Sequence, residues 1–258
     1  PVIALTEWKP TVSLGCMQSS LDVNKKVCGE KGVSLVRRKS GGQAVYLDED
    51  YLVFSMVGKP DMFPKDLDLL RKYFCQILID LIQKENIPAE FYPMSNIVIR
   101  DGERFRTLGN SGQFITEQAV FMQGSIRVSL NNLDAMLDVL RINGHPLQQY
   151  RKSIKEILAS VNDYNPHLTK EGLKKDFLGL ISRKYGISFS KSELTKDEIN
   201  KNKELSAQSQ VMDEPHYKPM GICYLCLNGR SLVPEIDDLL HYEAHGSEDI
   251  TTKMREVA

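Results

Sequence analysis

A chain of 258 residues with 41% hydrophobic and 26% charged side chains carries enough apolar material for one large core, which excludes a mainly disordered or collagen-like polymer. Its 33 Lys+Arg against 34 Asp+Glu give a formal charge of −1, so no global positive field draws nucleic acid or an anionic membrane. The most apolar stretch, Phe74 to Ile82, contains Asp80 and Gln76 and is too short for the roughly 20 residues of a membrane span; with no visible secretory leader and five cysteines without dense spacing, a reducing, cytoplasmic setting is expected.

In chain order, Pro1 to Trp8 and Thr11 to Leu14 read as short strands, and Tyr51 to Val57, apolar on both parities, as a central strand covered on both faces. From Pro64 the period changes to 3.6: Leu67, Leu70, Phe74, Ile77, Leu78 and Leu81 fall on one helical face, with Pro64 suited to the first turn. Glu90 to Ile99, Glu103 to Leu108 and Ser125 to Leu130 return to strand character, with Asp101-Gly102 as a hairpin turn. Asn131 or Asn132 caps a helix striped by Leu133, Met136, Leu137 and Leu140, and further helices are expected at Ser153 to Val161, Lys170 to Tyr185 and Lys196 to Ser206. Lys201 to Pro219 reads as a connector, followed by a strand at Met220 to Leu227 and a helix at Glu235 to Ala244. Broken runs of strands and helices predict an α+β fold, a mixed β-sheet packed with helices, rather than strict β-α alternation.

Two segments carry chemistry. In Arg37 to Asp48 (RRKSGGQAVYLD), Gly41 and Gly42 let a ligand approach the main chain, while Arg37, Arg38 and Ser40 are donors for phosphate or carboxylate oxygens. In Arg104 to Gln113 (RFRTLGNSGQ), a short strand runs into what reads as a second glycine turn, Gly109 to Gly112, with Asn110 and Ser111 inside it and Arg106 beside it. Two cradles suggest a ligand with two polar ends. Taken singly, each is also compatible with an ordinary solvated turn.

Together these segments resemble the catalytic domain of the lipoate-protein ligases and octanoyltransferases, a group related to biotin-protein ligase. Pro10 to Gln18 (PTVSLGCMQ), Arg37 to Asp48 and Arg106 to Gly112 match the family's first block, its RRxSGGGAVxHD loop and its lysine-I-x-G-x-A block in order, and Gln123 to Leu140 resembles the strand and helix that follow. The resemblance covers residues 1 to 205 as the catalytic domain and leaves 206 to 258 as an appendage; one reading of that appendage is that it completes the same domain in space, as a permuted strand and helix beside Pro1 to Trp8, and the alternative is simple truncation at the start.

The resemblance implies attachment of lipoate or octanoate to a lysine of a lipoyl carrier, an E2 subunit or a glycine-cleavage H-like protein, through an acyl-adenylate made with ATP and Mg²⁺. It implies binding roles for Arg38, Ser40, Gly41, Gly42, Gln43, Ala44, Asn96, Gly109, Ser111, Gly112, Gln123 and Gly124. Three positions depart from the family pattern: Gln43 stands for a third glycine, Leu47 for a histidine, and Arg106 for a near-universal lysine. Arg106 keeps a charge that would stabilise the adenylate phosphate, yet it is planar and never deprotonated. The rivals are therefore a catalytically silent acyl- or carrier-binding homologue and an ATP-independent transferase. One transferase branch is disfavoured because Ile142 to Pro146 holds no cysteine. Cys16, Cys28 and Cys75 read better as structural thiols, and His145 reads as a surface loop residue rather than a base. Separately, Cys223, Cys226, His241 and His245 have the C-x2-C-x14-H-x3-H spacing of a tetrahedral zinc site, although residues three apart on a strand face opposite sides.

Overall fold

The computed structural model describes residues 2–93, 96–142, 144–186 and 188–208, and the backbone of 226–227 and 230–231. In chain order the elements are β1 (Val2–Thr6), β2 (Thr11–Leu14), α1 (Lys25–Lys31), β3 (Ser34–Arg37), β4 (Val45–Leu47), β5 (Tyr51–Gly58), α2 (Leu67–Gln83), β6 (Ala89–Tyr92), β7 (Asn96–Asp101), β8 (Arg104–Ile115), β9 (Val120–Arg127), α3 (Leu133–Val139), β10 (Arg141–Ile142), β11 (His145–Pro146), α4 (Arg151–Ile157), α5 (Lys170–Tyr185) and α6 (Lys196–Gln208). The large sheet has the order β1-β5-β9-β8-β7-β6 with antiparallel neighbours throughout. A small mixed sheet, β3-β2-β4, pairs β2 parallel to β3 and antiparallel to β4. The fold is α+β.

Period-two alternation sends Leu52, Phe54 and Met56 of β5 toward α2 and α5, where the Phe54 ring stacks on Phe74 at 4.8 Å and tilts against Phe177 at 4.7 Å. Fully buried rings of this kind contribute about 2–3 kcal/mol each. The opposite parity, Tyr51 and Val53, packs with Leu47 of β4 and with Trp8, so β5 is covered on both faces as its composition predicts. A second core beneath the small sheet joins Val12 and Leu14 to Leu137, Ile154 and Leu158.

Several boundaries differ from the sequence reading for identifiable reasons. Helix α2 begins at Leu67 rather than Pro64 because the Asp66 side chain accepts the Leu69 N–H at 2.8 Å and sets the cap. Helix α4 ends at Ile157 because Leu158 and Ala159 leave it to pair with β8, Ala159 N–H donating to Thr107 O at 2.9 Å. Strand β9 starts at Val120, five residues before the expected Ser125. Helix α1 was not expected; Asn24 caps its start and Gly32, at φ +66°, ends it. The segment Gly109 to Gly112 is not a turn: β8 runs through it, and neither glycine has positive φ. The expected strand at Met220 to Leu227, the helix at Glu235 to Ala244 and the permuted packing lie outside the described residues, apart from a backbone pairing of Cys226–Leu227 with Arg230–Ser231.

A pair of buried carboxylates ties the turn before β5 to α3. The Asn132 side chain makes no cap bond; instead Asp50 accepts from the Asn132 N–H and the Asn131 amide, each at 3.1 Å, and from the Ser129 hydroxyl. Asp48, 1% exposed, accepts the Asp50 N–H at 2.9 Å through Oδ1, while its Oδ2 has no hydrogen-bond partner. Burial therefore pushes the Asp48 carboxyl above the usual carboxylate range. A raised folded-state value means the folded chain holds that proton longer than the unfolded one, so the group withdraws stability as pH rises above about 4. Asp48→Asn is expected to raise the thermal midpoint at pH 7, with the gain closing as pH falls toward 4; equal midpoints at pH 7 would refute this account.

Candidate functional site

The loop between β3 and β4 sits directly on the end of β2. A Cβ placed on Gly15 would lie 1.7 Å from the Gly42 carbonyl oxygen, so only glycine admits the loop there. Gly42 itself has φ +86°, the one left-handed position in the loop. Backbone bonds complete the seat: Arg38 N–H to Leu14 O at 2.9 Å and Cys16 N–H to Ser40 O at 3.1 Å. The two arginines face inward. Arg38 donates to Ser13 O at 2.5 Å, Gly41 O at 2.8 Å and Gln43 O at 2.7 Å, and Arg37 donates to Gly15 O at 3.0 Å and Gln18 O at 2.6 Å. Their guanidinium groups satisfy carbonyls that the tight loop turns toward one another.

Ser40, 2% exposed, joins this loop to the large sheet by accepting from Gln123 Nε2 at 2.7 Å. Across the strands Ser55, Gln123 and Gly112 are in register, and a Cβ on Gly112 would lie 3.3 Å from Ser40 Oγ. One step along, Ser125 opposes Asn110, which opposes Asn96, and Ser125 Oγ donates to Asn110 Oδ1 at 3.2 Å. A polar strip thus crosses β9, β8 and β7 on the face that the loop covers. Asn110, Ser125 and Gly15 were not among the site residues assigned from sequence; the signal for the first two was their period-two relation to Gly112 and Gln123.

Other expected residues lie elsewhere. Ser111 and Gly124 face α2: Ser111 Oγ is 3.3 Å from Cys75 Sγ, and a Cβ on Gly124 would meet the Phe54 ring at 2.8 Å. Gly109 serves strand contact, since a Cβ there would lie 2.3 Å from Ser125 O, and Ala44 is buried in the second core. Burial pushes the Cys75 thiol up to about 12 and raises Cys28 as well, so both remain protonated; Cys16 is partly exposed. Among the described residues no group of three His, Cys, Asp or Glu side chains could hold a metal ion. The Cys223, Cys226, His241 and His245 set lies outside them, except for the Cys226 backbone.

Arg106 sits apart from the loop. A bulge in β8 leaves Ile97 opposite Gly109 but Val98 opposite Thr107, so Leu108 is extra and the facing of the strand inverts. Arg106 therefore stands opposite Ile99, whose side chain belongs to the α2 core, instead of sharing the face of Asn110 and Gly112. Its guanidinium donates to Leu158 O at 2.6 Å, to Asp163 Oδ2 at 2.7 Å and to the Tyr164 hydroxyl at 3.3 Å. Six residues along the strand from Gly112 amounts to about 20 Å. Buried Arg127 holds the same segment from the other side, donating to Thr107 O at 2.8 Å and Ala159 O at 2.9 Å.

The loop seat yields a direct test. Gly15→Ala forces the Gly42 carbonyl away and should cost about 3 kcal/mol by overpacking while weakening any ligand held under the loop; urea unfolding and ligand titration read the two effects, and an unperturbed variant would show that the loop does not depend on this contact.

Comparison with known proteins bears on this geometry. The family model for the lipoyl protein ligase A/B catalytic domain matches residues 1–180. The chain is 27% identical over 173 residues to lipoate-protein ligase LplJ of Bacillus subtilis, an alignment covering 66% of this chain and 50% of that protein. It is 24% identical over 234 residues to octanoyltransferase LipM of Staphylococcus epidermidis, covering 80% and 83% respectively. Among solved structures, the archaeal bi-partite lipoate protein ligase from Thermoplasma acidophilum superposes with a TM-score of 0.69 at 20% identity, over 80% of this chain and 79% of that one. A lipoate-protein ligase A bound with ATP gives 0.69 at 20% identity over 83% and 84%. The chain thus spans half the length of LplJ, and it belongs to the lipoyl protein ligase A/B catalytic-domain family.

Proposed function

We propose that the chain attaches a lipoyl or octanoyl group to a lysine of a lipoyl carrier protein. The observation that carries this reading is the closure of the Arg37 to Ala44 loop over the polar strip through the Ser40 to Gln123 hydrogen bond. Relatives named as ligase and as octanoyltransferase supply the chemistry, and the Thermoplasma neighbour belongs to a lipoylation system made of a ligase and its E2 lipoyl domain.

A carboxylate is a poor electrophile toward an amine. In the ligase form of the reaction, ATP supplies the energy by converting the acid to a mixed anhydride with AMP, which leaves when the carrier lysine attacks. This chain's own residues would bind and shield. Asn96, Asn110 and Gln123 offer amide N–H groups to carbonyl and phosphate oxygens, Ser125 orients the Asn110 amide by donating to its Oδ1, and a closed loop keeps water from hydrolysing the activated acyl group before the amine arrives. The Gly41-Gly42 turn and Gln43, held from behind by Arg38, give the loop its fixed shape. The backbone of Gly112, with no Cβ, leaves Ser40 its place. A Mg²⁺ ion accompanying ATP would be carried largely by the nucleotide phosphates.

Two observations favour the rivals. Arg106 is bonded to Leu158 O and Asp163, which suits a homologue that binds without turning over. Cys16, partly exposed, is tied to the loop through its backbone N–H on Ser40 O, and a thiol at that position suits transfer from an acylated donor through a thioester. Incubating the full chain with ATP, Mg²⁺, octanoate or lipoate and an apo lipoyl domain, then weighing the products, separates the three. An adenylate and an acylated carrier are expected. Carrier acylation only from an octanoylated donor, lost in Cys16→Ser, would replace the ligase with a transferase; tight acyl binding without product would make the chain a binding homologue.

A further inference from the structure

The arginines that the sequence places at the site bond to the protein itself: Arg37 and Arg38 to loop and strand carbonyls, Arg106 to Leu158 O and Asp163 at the far end of β8. An anionic head group under the loop needs another cation. Lys39 lies between Arg38 and Ser40 in the chain, is exposed, and has no hydrogen bond or ion pair among the described residues. Its ammonium stands 5.9 Å from the centre of the Phe114 ring. Phe114 is two residues beyond Gly112 on β8, with no register shift between them, and so shares the face that Ser40 covers. The ring neighbours there are apolar: Phe114 opposes Phe121, Phe121 opposes Val57, and Val57 opposes Val2. The Lys39 charge is thus set at the edge of an apolar row, one step from the polar strip. A cation resting on an exposed ring is weakly held and can exchange it for an anion, and an ammonium on a flexible four-carbon stem suits a phosphate or carboxylate as a point charge.

We propose that Lys39 is the residue that binds the anionic head of the acyl substrate, its carboxylate before activation and its phosphate afterwards. This assignment rests on the reading given under Proposed function and deepens it: the cation comes from the loop, because the strand cation at Arg106 faces the other side of the sheet.

The test uses the full chain and an unreactive octanoyl-adenylate analogue with an anionic sulfamoyl linkage, titrated calorimetrically at several salt concentrations. Lys39→Ala is expected to bind about tenfold or more weakly and Lys39→Arg within about threefold of the parent, with a shallower salt dependence for Lys39→Ala. Thermal midpoints should not move, since the side chain is exposed. Equal affinity of the parent and Lys39→Ala overturns the assignment while leaving the acyl-ligase reading intact. Equal weakening in Lys39→Ala and Lys39→Arg also overturns it, by tracing the effect to loop shape. A parent chain that binds no analogue overturns both.

Discussion

The contact between Gly15 and the Gly42 carbonyl governs the site. Packing a loop backbone onto a strand end at that distance leaves no volume for a side chain and turns several carbonyl oxygens toward one another. Such carbonyls, taken from water, require donors. Arg37 and Arg38 supply them as planar multidonor groups: Arg38 reaches Ser13 on the strand and Gly41 and Gln43 in the loop, and Arg37 takes the Gly15 and Gln18 carbonyls. Paired arginines beside paired glycines are therefore one structural device: the glycines allow the approach and the guanidinium groups satisfy the oxygens it brings together.

The large sheet converts that local device into a site. Its two faces carry opposite chemistry because side chains alternate: on β9, Met122, Gly124 and Ile126 face the α2 core, while Gln123 and Ser125 face the loop. Glycines in these strands serve closeness rather than turning. Gly124 makes room for Phe54 on one face and Gly112 for Ser40 on the other, so the sheet packs tightly against a helix and a loop at adjacent residues. Lys170, bonded to Glu7 and to the Glu49 carbonyl, links α5 to the segments after β1 and before β5, which fixes the base on which β4 and the loop stand.

Much of this was legible in the sequence. The RRKSGG segment announced a loop with an unusual donor set, the both-parity apolar run at Tyr51 to Val57 announced a doubly covered strand, and the 3.6 period from Leu67 announced α2. What was not legible shares one cause: residues whose meaning depends on a partner distant in the chain. Gly109 and Gly112 read as a turn because glycine clusters usually mark turns; their actual role is set by Ser125, Ile126 and Ser40. Arg38 reads as an anion ligand by composition and serves as a brace because Ser13, Gly41 and Gln43 present carbonyls to it. Helix α1 could have been found from Asn24 and Gly32, a capping residue and a left-handed terminator flanking seven residues.

The bulge at Leu108 shows why spacing within one strand is an incomplete guide to a site. Arg106, Asn110 and Gly112 share a parity, and an unbroken β8 would present all three to the loop. One extra residue inverts the first of them, placing it beside the segment that carries Ala159 and Val161 into the α2 core. The same inversion frees the edge of β8 that Leu158 and Ala159 occupy once β9 has ended its pairing at Ile126. Arg106 and Arg127 then make sense as a pair closing that junction: one guanidinium takes the Leu158 carbonyl, the other the Ala159 carbonyl, and Asp163 balances the more exposed of the two. An arginine suits that task better than a lysine because a planar fork can hold a carbonyl and a carboxylate at once. The residue at position 106 is accordingly explained by the junction it closes, and the electrostatics of the ligand face must come from residues on the other side of the sheet.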